Sequence, residues 1–206
     1  MSKIKLCGLM REIDIITANE LCPEYIGFVF ANKSRRYISP EKAKKLKTLL
    51  NPEIQAVGVF VNEAPKEIAR LLSDGVIDIA QLHGNESEDY IKSLRKLTDK
   101  PIIKAFGVAC KEDVKKAEKS TADYILLDSV GGGTGKAFDW DLIKELNRPY
   151  FLAGGFDCEN VDKAIKLLNP FAVDVSSGIE TDGIKDANKM KRFVHAVKSA
   201  SGKENI

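Results

Sequence analysis

Short apolar runs recur along the whole chain, and segments with helical periodicity separate them. Most of the runs are apolar throughout rather than alternating with polar residues, which is typical of parallel strands covered on both faces. Successive runs start 21 to 30 residues apart, the length of one strand, one loop and one helix. The pattern predicts eight strands, at residues 3–7, 25–30, 55–61, 77–83, 101–107, 122–128, 149–154 and 171–177.

The segments between the runs carry helix start and stop signals. Ser39 is placed to cap a helix that has Pro40 at its first position. The segment APKEIARLLSDG brings its isoleucine and leucines to one face and ends at Gly75. A later helix is expected to stop at Asn169-Pro170. Strands and amphipathic helices therefore alternate through the chain.

Eight strand–helix units predict a (β/α)8 TIM barrel, near the short end of the size range of that fold. An open doubly wound sheet is the rival, but it normally has fewer strands and a glycine-rich first turn, whereas the turn after KIKLC carries only Gly8. No linker or shift in composition marks a second domain. Residues 1–200 are thus predicted to form a single (β/α)8 barrel domain, with a polar C-terminal tail at 201–206.

Charge and cysteine content exclude several classes of function. The formal net charge is +2, too balanced to indicate a nucleic-acid or membrane partner, and no apolar run has the length of a membrane span. The four cysteines form no CxxC pair and show no metal-ligand spacing with either histidine, so no metal is expected. The N-terminus has no apolar signal core. We expect a reduced, cytoplasmic protein.

Polar and reactive residues concentrate at the C-terminal ends of the predicted strands, which is where a TIM barrel carries its chemistry. These positions are Cys7, Ser34, Arg35, Arg36, Asn62, Gln81, His83, Asp128, Gly154, Gly155, Asp174, Ser176, Ser177 and Gly178. A cysteine at the end of an apolar run is most often a small buried hydrophobe, so Cys7 alone indicates nothing.

The last two strand ends are rich in small residues that suit an anion. Gly154, Gly155, Ser177 and Gly178 allow backbone N–H groups to approach a phosphate, and TIM barrels often bind phosphate there. The alternative is that these glycines only make tight turns. The glycine-rich loop at 130–137 is expected to close over substrate or to bind anionic oxygen through its amides.

Four charged or titratable side chains at the same rim each have two interpretations. Desolvation would raise the pKa of Asp128 and favour an acid role, or Asp128 caps the next loop. Arg36, like its neighbour Arg35, suits a carboxylate, or both are solvated. His83 is expected to pack or bind rather than to catalyse. Asp174 is expected to point into the barrel mouth, where it needs a partner and is structural or positions a ligand.

Taken together, the motifs resemble those of the phosphoribosylanthranilate isomerase family of tryptophan biosynthesis. The likeness covers nearly the whole chain and keeps the order KLCG, GFVF-x3-SRRYIS, VGVFVN, QLHG, IKAFGV, LLDS-x-GGGTGKAFDW, LAGG-x3-ENV and PFAVDVSSGIE. Departures are mild: Phe156 and Cys158 stand where the family commonly has leucine and proline, and GLMREID replaces a threonine-containing start.

The resemblance implies an isomerase that needs no cofactor and acts on a small phosphorylated substrate by an Amadori rearrangement. It implies Cys7 as general base, Asp128 as general acid, Arg36 as the partner of the anthranilate carboxylate, and phosphate binding by Gly154-Gly155 and Ser177-Gly178. Two alternatives stay open: another phosphosugar aminoaldose isomerase, or a non-catalytic barrel that binds a phosphate ligand. The sequence does not distinguish a monomer from a homodimer.

Overall fold

Eight parallel strands close into a barrel, which confirms the predicted (β/α)8 fold. The structure, a computed structural model, describes residues 2–129, 139–144 and 146–202. The predicted loop at 130–137 and most of the predicted tail lie outside these residues. The barrel strands are β1 (Lys3–Cys7), β2 (Tyr25–Val29), β3 (Gln55–Phe60), β4 (Ile79–Leu82), β5 (Ile102–Val108), β6 (Tyr124–Ser129), β7 (Tyr150–Leu152) and β8 (Ala172–Val175).

Helices follow most of the strands and begin where the sequence signals place them. Ser39 accepts a hydrogen bond from the Lys42 N–H, and Pro40 is the first residue of its helix. Asn169 ends a helix in the left-handed conformation. The helices are α1 (Glu12–Leu21), α2 (Pro40–Leu49), α3 (Pro65–Ser73), α4 (Glu88–Arg95), α5 (Lys111–Glu118), α6 (Val161–Leu168) and α7 (Ala187–Ala200).

The barrel has two apolar layers because the strands bury both faces. Inside it, a cluster that includes Tyr25, Ile103 and Phe151 fills the lower part, while a larger cluster packs the strands against the helices. The circle closes where β1 pairs with β8, in a register that sets Lys5 beside Asp174. A charged pair thus lies above an apolar plug, at the level where the chemistry of this fold begins.

The sixth strand–helix unit differs from the prediction. In the described part of the connection between β6 and β7, residues 139–144 and 146–149, a 3₁₀ helix at Trp140–Ile143 stands where an α-helix was expected. Pro149 limits this segment, since a residue before a proline is disfavoured in a helix.

A short antiparallel hairpin, which the strand pattern did not predict, separates β8 from α7. Its strands are β9 (Glu180–Thr181) and β10 (Ile184–Lys185), and Glu180 pairs with Lys185. Asp182 and Gly183 make the turn, both with positive φ, as a two-residue Asp-Gly hairpin requires. The hairpin brings Glu180 and Lys185 to the barrel mouth.

Candidate active site

A cavity of about 300 Å³ lies at the C-terminal ends of the barrel strands. Of the strand-end positions singled out in the sequence, Arg35, Asn62 and Gly178 do not line it, whereas the lining includes Cys7, Arg36, His83, Asp128, Gly154, Gly155, Asp174 and Ser177. Apolar side chains, among them Val29, Val59 and Phe156, form much of the remaining wall. Polar groups therefore converge within a mostly apolar pocket, the usual character of a small-molecule site.

Cys7 ends β1 and is 8% exposed. Gly27 on the neighbouring strand makes room for the thiol, because a Cβ there would lie 2.6 Å from the Cys7 Sγ. Burial raises the pKa of Cys7, and the positive charges of Lys5 and Lys185 pull it down without outweighing burial. In the unliganded protein the thiol form is favoured at neutral pH.

An ion pair lies inside the barrel beneath the cavity. The Lys5 Nζ donates a hydrogen bond of 2.8 Å to the Asp174 Oδ2, and Lys5 is fully buried. Burial by itself lowers the pKa of Lys5, but Asp174 and Cys7 together outweigh it and the net shift is upward. The Asp174 Oδ1 is buried and has no hydrogen-bond partner among the residues that the structure describes. Asp174 thus has the partner it was expected to need and still carries one free acceptor at the cavity wall.

Asp128 lies near the end of β6, and His83 follows β4. The His83 Nε2 lies 3.7 Å from the Asp128 Oδ2, and the His83 Nδ1 lies 2.9 Å from the Gln81 Nε2. Burial raises the pKa of Asp128, although His83 and the Ser129 N–H oppose it, and burial lowers the pKa of His83. Both shifts favour the uncharged forms of the two side chains.

Arg36 crosses the mouth of the cavity, while Arg35 points away from it. The side chain of Arg36 is 17% exposed and that of Arg35 is 61% exposed. Arg36 runs over Gly8, where a Cβ would lie 2.5 Å from the Arg36 Cδ. Its Nε and Nη2 donate hydrogen bonds of 2.6 and 2.9 Å to the two carboxylate oxygens of Glu180. Of the two arginines, Arg36 is therefore the one whose side chain lies at the cavity.

The loops after β7 and β8 meet at the wall of the cavity. Gly154 and Gly155 have φ of +118° and +67°, a region that favours glycine. Ser177 begins a short 3₁₀ helix and lines the cavity. Gly178 does not line it: a Cβ there would lie 1.8 Å from the carbonyl oxygen of Phe156. Its structural part is to let the two loops touch.

Among the described residues, no group of three or more histidine, cysteine or carboxylate side chains is placed to hold a metal ion. No helix in that part of the chain is both long and apolar enough to cross a membrane.

Comparison with known proteins identifies the family. A model of the family described as N-(5'-phosphoribosyl)anthranilate isomerase matches residues 4–196. The chain belongs to the phosphoribosylanthranilate isomerase family. Its predicted family is confirmed, and Cys7, His83, Asp128 and Ser177 from the motifs that indicated it line the cavity.

Relatives and solved structures in the family align over nearly their whole length. The isomerase of Thermoanaerobacter sp. (strain X514) is 46% identical over 204 residues, 96% of this chain and 98% of the relative. The crystal structure of the Thermotoga maritima isomerase has a TM-score of 0.87 at 39% identity and covers 98% of this chain and 100% of its own. A second isomerase structure, in complex with reduced 1-(o-carboxyphenylamino)-1-deoxyribulose 5-phosphate, has a TM-score of 0.85 at 38% identity and covers 98% of this chain and 100% of its own.

Three charged residues of this family member escaped the sequence prediction: Lys5, Glu180 and Lys185. Strand alternation offered a signal for Lys5, because in KIKLC it shares a face with Cys7. The dipeptide Asp182-Gly183 signalled a hairpin that would pair Glu180 with Lys185. No signal linked that hairpin to Arg36, which is 144 residues away in the chain.

Proposed function

We propose that this protein converts N-(5'-phosphoribosyl)anthranilate to 1-(2-carboxyphenylamino)-1-deoxyribulose 5-phosphate, with Cys7 as general base and Asp128 as general acid. The observation that carries the proposal is that both groups line one cavity together with Arg36 and the β7 and β8 loops. The match to the family model over residues 4–196 supports the activity and a single barrel domain at 1–200.

In this reaction Asp128 donates its proton to the ring oxygen of the ribose, the C1–O bond breaks, and the nitrogen lone pair forms an iminium. Cys7 then takes the proton from C2, and the C–H electrons neutralise the iminium to give an enolamine. The enolamine tautomerises to the aminoketose. The raised pKa of Asp128 supports its part, because an acid must hold its proton at the pH of the reaction.

To act as the general base, Cys7 has to be a thiolate, and burial opposes the formation of that charge. Lys5 and Lys185 both lower the pKa of Cys7, and Asp174 raises it. A thiolate that forms in this setting is poorly solvated and is therefore a strong base toward a carbon acid. The two cations make proton removal by Cys7 feasible, while burial keeps the thiol neutral before substrate arrives.

The two ends of the substrate fit the two walls of the cavity. Gly154, Gly155 and Ser177 offer backbone N–H groups to the phosphate, as TIM-barrel loops after β7 and β8 commonly do. Arg36 faces the anthranilate carboxylate, and its guanidinium suits bidentate pairing. His83 and Asp174 contact the ribose between them, where Asp174 offers an unpartnered oxygen.

A turnover assay with freshly formed phosphoribosylanthranilate tests this proposal. We expect product from the wild type, and a loss of about 10²–10⁴-fold in kcat for Cys7→Ser and for Asp128→Asn, since each removes one proton-transfer group. Circular dichroism of both variants controls for folding. Ligand binding without product in the wild type would favour a non-catalytic barrel, and folded variants with undiminished turnover would refute the assigned roles.

We further propose that the protein acts in the cytoplasm, as a monomer or a homodimer. Its four cysteines are free, which suits a reducing compartment. Among similar structures, one is described as monomers generated from the dimeric Thermotoga maritima isomerase. Sedimentation equilibrium distinguishes the two assembly states, and a higher oligomer would contradict both.

A further inference from the structure

Glu180 pairs with several cationic side chains at the mouth of the cavity, although it has no role in the proposed reaction. Its carboxylate accepts hydrogen bonds from Arg36, from the Arg35 Nη2 at 2.7 Å and from the Lys185 Nζ at 2.7 Å. The side chain of Glu180 is 4% exposed and that of Lys185 is 1% exposed. A carboxylate this buried is retained at a site only when its partners hold it in place.

Glu180 does not occupy the place where a ligand carboxylate would bind. Arg36 lines the cavity, whereas Glu180 does not. Glu180 lies behind the guanidinium, where the β9–β10 hairpin pairs it with Lys185, and the Lys189 Nζ donates to its backbone carbonyl at 2.7 Å. The carboxylate is thus part of the wall that supports Arg36.

The hydrogen bonds of Glu180 use only one edge of the Arg36 guanidinium. A guanidinium has five N–H donors, and Glu180 takes the Nε donor and one donor of Nη2. The edge formed by Nη1 and the second donor of Nη2 has the bidentate geometry that a second carboxylate needs. On the other side Gly8 lets the Arg36 chain pass close to the backbone. Arg36 is held from both sides.

The charges of this cluster leave room for one more anion. Glu180 is ionised, because hydrogen bonds from Arg36 and Lys185 outweigh its burial and hold its pKa at about 2. It compensates one charge, while Arg36 and Lys185 supply two; Arg35 is 61% exposed and is screened by solvent. A ligand carboxylate on Arg36 would neutralise the remaining charge.

We propose that Glu180 is a positioning residue that makes the site select a carboxylated ligand, by fixing Arg36 so that its free edge faces the cavity. The inference rests on the proposed function, since it assumes that Arg36 receives the substrate carboxylate. It adds a determinant of specificity that never touches the substrate. Without Glu180, the Arg36 side chain would have to become ordered when the ligand binds, and the entropy lost would weaken binding.

The test compares two ligands by isothermal titration calorimetry: reduced 1-(o-carboxyphenylamino)-1-deoxyribulose 5-phosphate and its phenylamino counterpart without the carboxyl group. The measured quantity is the ratio of their affinities. We expect Glu180→Gln to lower this ratio about 10-fold or more, since a charge-assisted bidentate contact is lost, while affinity for the phenylamino ligand stays within about two-fold. Glu180→Asp, which keeps the charge, is expected to lie between Glu180→Gln and the wild type.

Arg35→Met is the matched control, because it removes an exposed contact of the same carboxylate and should leave the ratio within about two-fold. In an Arg36→Met background, Glu180→Gln should change the ratio no further. Thermal unfolding monitors the fold, and Glu180→Asp carries the test if Glu180→Gln does not fold.

Three results would overturn the inference. An equal loss for both ligands would make Glu180 a purely structural residue, and a higher ratio would make it a competitor of the ligand. A wild type that turns over substrate, with a ratio that Arg36→Met lowers and Glu180→Gln does not, would refute this inference alone. A ratio that Arg36→Met also leaves unchanged would refute the carboxylate site of the proposed function itself.

Discussion

The two sides of the cavity bury a titratable group in opposite electrostatic surroundings. The Cys7 side, formed by Cys7, Lys5 and Asp174, contains a fully buried ion pair. On the Asp128 side, Asp128 faces His83, which burial keeps neutral. Burial is the largest cause of the raised pKa on each side. The same physical effect therefore acts on two groups with opposite tasks.

The comparison shows that burial assists an acid and opposes a base. Asp128 needs a proton to donate, and burial, aided by the charge of Asp174, raises its pKa and favours the protonated form. Cys7 needs to lose its proton, so cationic side chains lie near it, and each of them is paired with a carboxylate. Lys5 is anchored by Asp174 and Lys185 by Glu180. The charged network is concentrated where the chemistry demands an anion.

The largest difference between the sides should appear in stability when a partner is removed. Lys5→Met leaves the Asp174 carboxylate buried and unpaired, and we expect a loss of about 3–5 kcal/mol in the free energy of unfolding. Urea unfolding measures this loss. The matched change on the other side, His83→Asn, should cost less than about 1 kcal/mol, because Asp128 already favours its neutral form.

The double variant Lys5→Met, Asp174→Asn controls for the loss of packing. It removes both charges, so we expect it to recover part of the stability lost by Lys5→Met alone. A double variant as unstable as Lys5→Met would show that the methylenes of Lys5, and not the ion pair, carry the effect.

The reactivity of Cys7 should report burial directly. In a variant whose only cysteine is Cys7, iodoacetamide alkylation is expected to rise with pH through a midpoint above the usual thiol pKa of about 9. The same variant unfolded in urea is the control and should react at the lower, ordinary midpoint. A folded midpoint below the unfolded one would mean that Lys5 and Lys185 outweigh burial.

The smallest effect is expected on the Asp128 side. Once Asp128 ionises, its carboxylate favours a protonated His83, and that charge lowers the pKa of Asp128; His83→Asn removes this stabilisation, so it should raise the pKa further and extend the acid form to higher pH. NMR titration of ¹³C-labelled aspartate carboxyls, with the signal assigned by its loss in Asp128→Asn, measures the shift. We expect kcat to change less than about 10-fold. A fall in the pKa of Asp128 would contradict the stabilisation of its carboxylate by His83.

Much of the fold follows from local sequence. Strand positions came from apolar runs, and the starts and ends of helices at Ser39, Pro40 and Asn169 came from local capping chemistry. The sixth unit was wrong because its helix was expected from spacing alone, whereas the described segment before Pro149 forms only a 3₁₀ helix at Trp140–Ile143.

The site was predictable residue by residue, but its electrostatics were not. Position at a strand end was enough to nominate Cys7, His83 and Asp128, since the fold places all strand ends at one rim. The pairs Lys5–Asp174 and Arg36–Glu180 join residues 169 and 144 positions apart. Such contacts depend on closure of the barrel, which no local pattern encodes.

Some positions around the cavity tolerate substitution in a mutant library, whereas two glycines do not. A methyl group at Gly27 would strike the Cys7 Sγ, and one at Gly178 would strike the carbonyl oxygen of Phe156. Val29, Val59 and Val61, in contrast, line the cavity, and their side chains form part of its apolar wall. Laboratory evolution toward bulkier aminoaldose phosphates should therefore randomise the three valines and keep both glycines fixed.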